Sequence, residues 1–257
     1  MLQLGFVWDL TMRDFTEKFA GSVLGSLWNF VWPLVQLFIY IVIFGKFMGG
    51  RLPGNSEVYS YGIYVAAGLI PWTSFTNTIS RSSRVFLDKK HIISKVRVSL
   101  PSLPLFICLS EGITYSITMV FLFAVVLVTG PELSAHFVVM LIFLYYLQQI
   151  LALGIGTFCA IFTVFVRDFN EIVNIILQLA FWFTPIVYIP EILPDTVRKL
   201  LVLNPAYPFI ESYHQIFVFH QALPIQALVV LCVIAHLVFL GSYLTLHFLE
   251  KDIRDFL

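Results

Sequence analysis

Glu111 is the only acid clearly inside a long apolar stretch, which runs from about Leu103 to Val128. A carboxylate in a membrane-length run is a functional candidate, because lipid does not solvate it. Two roles are open to it: pairing with a cation such as Arg81 or Arg84, or lining a substrate path or gate. Thr114 and Thr118 share its helical face, which suits either role. Acid–base catalysis is not supported, since no second carboxylate, His or Cys sits at a useful spacing on that face. The six histidines are scattered at 91, 136, 214, 220, 236 and 247. None forms an H-E-x-x-H pair, so no metal site is expected, and they are read as interface or loop residues. Arg167-Asp168 reads as a local ion pair at a helix end. Cys108, Cys159 and Cys232 lie in apolar stretches and read as free thiols acting as small hydrophobes. No G-x-x-x-x-G-K-[ST] loop occurs, so no nucleotide site of that kind is expected.

The densest cluster of charge lies between two apolar runs. Residues 81–101 carry six of the fifteen basic side chains: Arg81, Arg84, Lys89, Lys90, Lys95 and Arg97. Leu87, Ile92, Ile93 and Val96 are spaced as one face of about two turns, which predicts a helix over 87–96. Its charged residues are Asp88, Lys89, Lys90 and Lys95. Such a helix can dock on a partner, its charges gripping the rim, or it can serve only as a topology determinant. A nucleic-acid site is not expected, because the loop is short and flanked by membrane.

The elements that must hold these residues are membrane helices. The chain is 59% hydrophobic and 12% charged, against about 25% charged in soluble domains, with a mean hydropathy of +0.91. An all-α membrane protein with one domain over residues 1–257 is predicted. Residues 1–26 read as an interfacial amphipathic helix with Leu2, Phe6, Leu10 and Phe15 as its apolar stripe, and no cleavable signal peptide is expected. Six spans follow: Trp28–Phe44 with a kink at Pro33, Tyr61–Ile79, Leu103–Val128, Phe137–Val166 with Gly154 and Gly156 as flex points, Ile172–Ile189, and Ile225–Leu249. Turns are predicted over 49–59 and 129–136. With both termini inside, eleven basic residues fall on the inner side and four on the outer, which supports that orientation. Residues 190–224 are cut by five prolines and predict two short re-entrant helices, Val197–Leu203 and Phe209–Phe219, at the outer interface.

Two spans carry polar faces. Asn29, Gln36 and Tyr40 share a face of the first; Asn174, Gln178, Phe181, Trp182 and Pro185 share one on the fifth. These side chains either glue helices together, at about 0.6 kcal/mol per bond, or line a path. Tyr40, Phe181, Trp182 and Tyr188 are expected to line such a path.

Three stretches together resemble the permease subunits of ABC-2-type exporters, in particular the polysaccharide branch. The first, residues 13–45, carries Arg13-Asp14, Ser22, Leu24-Gly25, Trp28, Pro33, Tyr40 and Phe44 where that family places them. The second carries Gly68, Pro71, Trp72 and Lys95-Val96. The third carries Arg167-Asp168, Thr184-Pro185, Tyr188 and Asn204-Pro205. The sequence departs from the family's pattern at Arg97-Val98-Ser99-Leu100 and at His214. The resemblance implies a homodimeric half-transporter in the bacterial inner membrane, with two copies of a separate ATPase subunit. ATP and Mg would sit on that partner, no cofactor on this chain, and the 87–96 helix would couple the two. The substrate implied is a lipid-linked, O-antigen-like polysaccharide; teichoic acid, capsule or a drug or lipid are alternatives. A membrane-embedded transferase is disfavoured by the lack of clustered acids. A pore gives no reason for a docking loop.

Overall fold

The structure, a computed structural model, describes residues 4–18, 21–47, 60–96, 98–129 and 135–257. The expected turn over 49–59, most of the one over 129–136, and Arg97 lie outside the described residues. The helices are α1 (Leu4–Glu17), α2 (Trp28–Phe38), α3 (Ser60–Asp88), α4 (Lys90–Lys95), α5 (Ser102–Thr129), α6 (Ala135–Phe165), α7 (Phe169–Trp182), α8 (Asp195–Leu200), α9 (Tyr207–His214) and α10 (Ile225–Phe256). No strand occurs among the described residues. Every backbone polar group in lipid must be bonded within its own segment, which helices achieve.

Four helical stretches are long and apolar enough to cross a membrane: Trp28–Gly45, Ser102–Val128, Phe137–Phe165 and Ile225–Phe256. The first passes through Pro33 and widens into a π-helix over Ile39–Phe47. α3 is not among the four, although it is the axis of the molecule. It packs on the π continuation of α2, and on α5, α6, α7 and α9, and nineteen of its twenty-nine residues are buried. A helix sheathed by protein need not match lipid, so it can carry polar side chains that bond its neighbours. Ser74 and Thr78 meet Gln149 of α6, while Ser80 and Ser83 meet Asn174 and Asn170 of α7.

Gly154 and Gly156 are points of close approach within a continuous α6, not flex points. A Cβ on Gly154 would lie 2.8 Å from the Phe239 nitrogen of α10, and one on Gly156 would lie 2.7 Å from the Ser82 Cβ of α3. Small residues let helix backbones meet, which is how packing is gained in lipid. α7 ends at Trp182, short of the predicted Ile189. Pro185 cannot donate to continue the helix, and carbonyls in the irregular stretch beyond it accept from side chains. Tyr61 Oη donates to the Val187 oxygen and Tyr64 Oη to the Tyr188 oxygen, each at 2.8 Å. Asn204 Nδ2 donates to Thr184 Oγ1 at 2.8 Å.

Between α7 and α10 two helical pieces form, 195–203 and 207–219. They differ in burial. Val197, Leu200, Val202 and Leu203 are exposed, whereas Phe209, Ile210, Tyr213 and Ile216 are wholly buried. His214, expected in a loop or interface, is buried in the core with its ring stacked 3.7 Å from that of Tyr64.

The predicted helix over 87–96 is divided. Leu87 and Asp88 end α3, Lys89 is a turn, and α4 covers only Lys90–Lys95, with Val96 extended. Ile93 does not face outward. It is buried in a second hydrophobic cluster at this basic end, with Val7, Phe86, Val98, Leu100, Leu103 and Ile253.

Candidate functional site

α1 turns a different face inward from the one its large apolar residues suggest. Val7 and Thr11 are its buried residues, while Phe6, Leu10 and Phe15 are only partly covered. Continuing by steps of three and four, the inward face reaches Asp14 and Lys18, at the edge of α5 and α3. Thr11 Oγ1 donates to the Val7 carbonyl at 2.8 Å, and the Phe106 carbonyl lies 3.4 Å away. This fixes α1 against the start of α5.

Glu111 meets Arg81 there. Glu111 is 2% exposed, and Arg81 Nη1 donates to its Oε1 at 2.5 Å. Arg81 Nη2 spans the two Asp14 oxygens at 2.6 and 2.8 Å. Ser110 Oγ donates to Asp14 at 2.6 Å, Asn77 Nδ2 to Glu111 Oε2 at 3.1 Å, and Lys18 Nζ lies 3.5 Å from Glu111. Two acids thus balance two cations across α1, α3 and α5. Burial disfavours the Asp14 charge, but the bonds from Arg81 and Ser110 outweigh it and hold the carboxyl below its ordinary range. Arg84 does not join; it reaches its own Asp88 at 4.0 Å on the surface.

Glu111 also borders a recess, so its ion pair sits in a cavity wall. A cavity of about 510 Å³ lies between α2, its π continuation, α3 and α5. Trp28, Asn29, Trp32, Gln36 and Tyr40 form one wall; Thr73, Asn77, Thr114, Tyr115 and Thr118 form the other, with Lys18 and Glu111 also in the lining. Asn29 serves two roles, since its amide also donates to the Phe15 carbonyl at 3.0 Å. On a neighbouring face of α3 an open groove of about 460 Å³ is lined by Trp72, Thr76, Asn77, Ser80, Asn174, Gln178, Phe181 and Trp182. Asn77 borders both recesses. Tyr188 lies at neither, its hydroxyl donating to the Trp182 carbonyl at 2.9 Å.

The residues of the basic segment separate by exposure. Asp88, Lys90, Lys95 and Val96 are exposed, Leu87 and Ile92 partly covered, and Ile93 buried. Lys89 and Ile92 line a cleft of about 450 Å³ against Leu10, Arg13, Asp14 and Glu17 of α1. The Lys89 ammonium sits 5.5 Å from the Phe106 ring centre. Arg167 and Asp168 are exposed and form no ion pair among the described residues; adjacent residues in a helical turn do not face each other.

Sequence reasoning missed Asp14, Lys18 and Asn77. The 7–11–14–18 spacing on α1 was a legible signal, as was the i,i+4 spacing of Asn77 and Arg81 opposite a lone acid. No group of three or more metal-ligating side chains occurs among the described residues.

The sequence pattern of the ABC-2 type transporter family matches residues 6–218. The O-antigen export system permease protein RfbA of Klebsiella pneumoniae is 28% identical over 220 residues, covering 83% of this chain and 82% of its own. The protein of the same name from Myxococcus xanthus is 26% identical over 235 residues, covering 90% and 88%. The polysialic acid transport protein KpsM of Escherichia coli is 22% identical over 202 residues, covering 79% and 77%. Apolar spans, a buried polar axis and a match over most of the chain agree: this protein belongs to the ABC-2 type transporter family, as a membrane permease chain and not an enzyme.

Proposed function

We propose that the chain is the permease subunit of an ATP-driven exporter that moves lipid-linked polysaccharide across the bacterial inner membrane. The observation that carries this reading is the composition of the two recesses beside α3. Aromatic rings alternate there with amides and hydroxyls, and the one acid is already paired. Stacking on sugar faces and bonding to their hydroxyls are weak, repeated contacts. A polymer slides past such contacts, whereas an unpaired charge would trap an oppositely charged segment. In this reading Asn29, Gln36, Tyr40, Gln178, Phe181 and Trp182 form the path, and Tyr188 braces Trp182 at one end.

The same reading gives six spans, with both termini cytoplasmic. α7 is fourteen residues, about 21 Å as helix, and the bent segment to Ile189 completes its crossing. The chain acts as a homodimer, the commonest closed symmetry. The exposed apolar faces of α2 (Phe30, Leu34, Phe38) and α7 (Ile172, Ile175, Ile176) suit the contact between copies. Two ATPase subunits bind the basic end, carrying ATP and Mg, and the exposed Asp88, Lys90, Lys95 and Val96 meet them. α8 and α9 are the re-entrant pair at the outer mouth.

Inverted vesicles holding the permease and its ATPase, supplied with defined lipid-linked glycans, test this. Tyr40→Ala and Trp182→Ala are expected to lower export several-fold with assembly and expression unchanged. Normal export in both variants rejects the path, and no ATP-dependent glycan uptake by the unaltered complex rejects the exporter.

A further inference from the structure

The basic segment is too small to hold its own position. α4 has six residues, and its N-cap residue, Lys89, makes no side-chain capping bond. A helix that short is unstable alone in water, and α4 buries only Ile93. It follows directly on α3, and the cluster that takes Ile93 is built from α1, α3, α5, α6 and, from the far end of the chain, α10. α10 has thirty-two residues, about 48 Å as helix, which is longer than the ~30 Å hydrocarbon core. Its last turns extend to the basic end, where Ile253 is 0% exposed in the same cluster as Ile93, Val98 and Leu100. Phe256 fastens this tail to α6, its ring centre 5.1 Å from that of Phe165.

One polar link completes the contact. Arg254 Nη2 donates to the Val98 carbonyl at 2.6 Å, across 156 residues of sequence. Glu250, one turn back on α10, receives Arg254 Nε at 3.1 Å and Nη2 at 2.8 Å. The carboxylate orients the guanidinium, so the charge-assisted bond to Val98 is made at little cost in side-chain freedom. Val98 lies just past α4 and before α5, where the backbone is irregular and has spare acceptors.

We propose that Arg254 is a positioning residue for energy coupling. The tail of α10, aimed by Glu250, braces the segment from α4 to Leu100, so that force applied to α4 reaches α5 and α6 instead of being lost in movement of a short loop. The coupling half of this rests on the exporter reading above; the brace itself does not.

Hydrogen–deuterium exchange on the purified full chain tests the brace, and export per ATP hydrolysed in vesicles tests its consequence. In Arg254→Ala, residues 90–100 are expected to exchange about tenfold faster, the scale of losing one charge-assisted bond. The spans should be unchanged. Arg254→Lys keeps the cation and is expected to restore most of the protection. With the ATPase bound, Arg254→Ala should lower export per ATP several-fold while hydrolysis continues. Unchanged exchange in Arg254→Ala overturns the brace. Faster exchange with normal export per ATP overturns the coupling role. Failure of the unaltered chain to recruit an ATPase overturns the exporter reading alone, since the exchange result stands without a partner.

Discussion

α4 and α9 are both short helices set between long ones, six and eight residues, and they are held in opposite ways. α9 buries six of its eight residues and is a piece of the main core, packed on α3, α6 and α10. α4 buries one, Ile93, in a cluster shared by α1, α3, α5, α6 and α10, and otherwise depends on its junction with α3. The charge around them differs too. The basic end combines a surface of lysines with a neutral, partly buried set of ion pairs behind it, while the core around α9 is aromatic. A segment fixed by apolar packing moves only with the core, because packed interiors resist deformation. A segment that buries a single isoleucine depends on bonds from its neighbours to hold its place. The difference teaches which end is built to receive a moving partner.

The largest effect should follow from opening the packed end. Phe209 is 0% exposed, with its ring centre 5.3 Å from that of Phe75 on α3. Phe209→Ala is expected to cost about 3–5 kcal/mol, seen as a large drop in melting temperature in detergent and in yield from membranes. If the protein melts normally, α9 is a lid and not a core element, and the contrast with α4 fails.

A smaller loss is expected behind the basic end. Glu111→Gln keeps the shape and the Asn77 contact but removes the charge that Arg81 faces. A hydrogen bond to a charged group contributes about 1.5–3 kcal/mol, so melting should fall by less than in Phe209→Ala. Export separates the two positions Glu111 occupies. Reduced stability with normal export makes it a pairing residue only; reduced export in protein that remains folded gives it a part in the path.

Smaller still is the effect at the outward surface of α4. Val96 is 57% exposed, and surface substitutions usually change stability by no more than about 0.5 kcal/mol. Val96→Asp is expected to leave melting unchanged and weaken ATPase binding. Ile93→Asp should lower melting whether or not a partner is present, because it buries a charge in the chain's own cluster. Equal effects of the two would mean that α4 has no separate docking face.

The contrast also explains what was legible in the sequence. Prolines mark the two pieces between α7 and α10: Pro194 precedes α8, and Pro208 lies in the first turn of α9. Val197–Leu203 and Phe209–Phe219 were therefore readable as helices to within two residues. Four spans were readable from apolar length alone. α3 was the weakest of the predicted spans because its environment is protein and not lipid, so hydropathy carries little information about it. α4 was misjudged because two turns of apolar spacing do not say whether the face turns toward the chain or toward a partner. On α1 the largest apolar residues drew attention from the inward face, where small Thr11 and charged Asp14 sit. Asn29, Gln36 and Tyr40 fall along one cavity wall, a grouping readable because a helix imposes that spacing whatever its neighbours are.

A small effect confined to acid conditions concerns Asp14. Its carboxyl ionises more readily in the folded chain than in the unfolded one, because Arg81 and Ser110 hold the charged form. The unfolded chain therefore binds more protons between the two values, and stability rises with pH through that window. The contribution is fully present above the ordinary aspartate value of about 3.9. It is lost as pH falls below that and through the lower folded value. Asp14 is partly exposed, with 17% of its side chain open, so the effect should resemble a screened pair, about 1 kcal/mol or less. Melting curves of the wild type and Asp14→Asn, taken from pH 6 down to the acid limit of the detergent, isolate it. The two should differ at the upper end and converge in the acid. Arg84→Ala, which loosens only a surface pair with Asp88, should follow the wild type at every pH. Parallel curves for Asp14→Asn and wild type, with no convergence, would mean that the Asp14 charge adds nothing and that α1 is held by Thr11 and apolar packing alone. The basic end would then be fixed as α9 is, and the distinction drawn between the two ends would be lost.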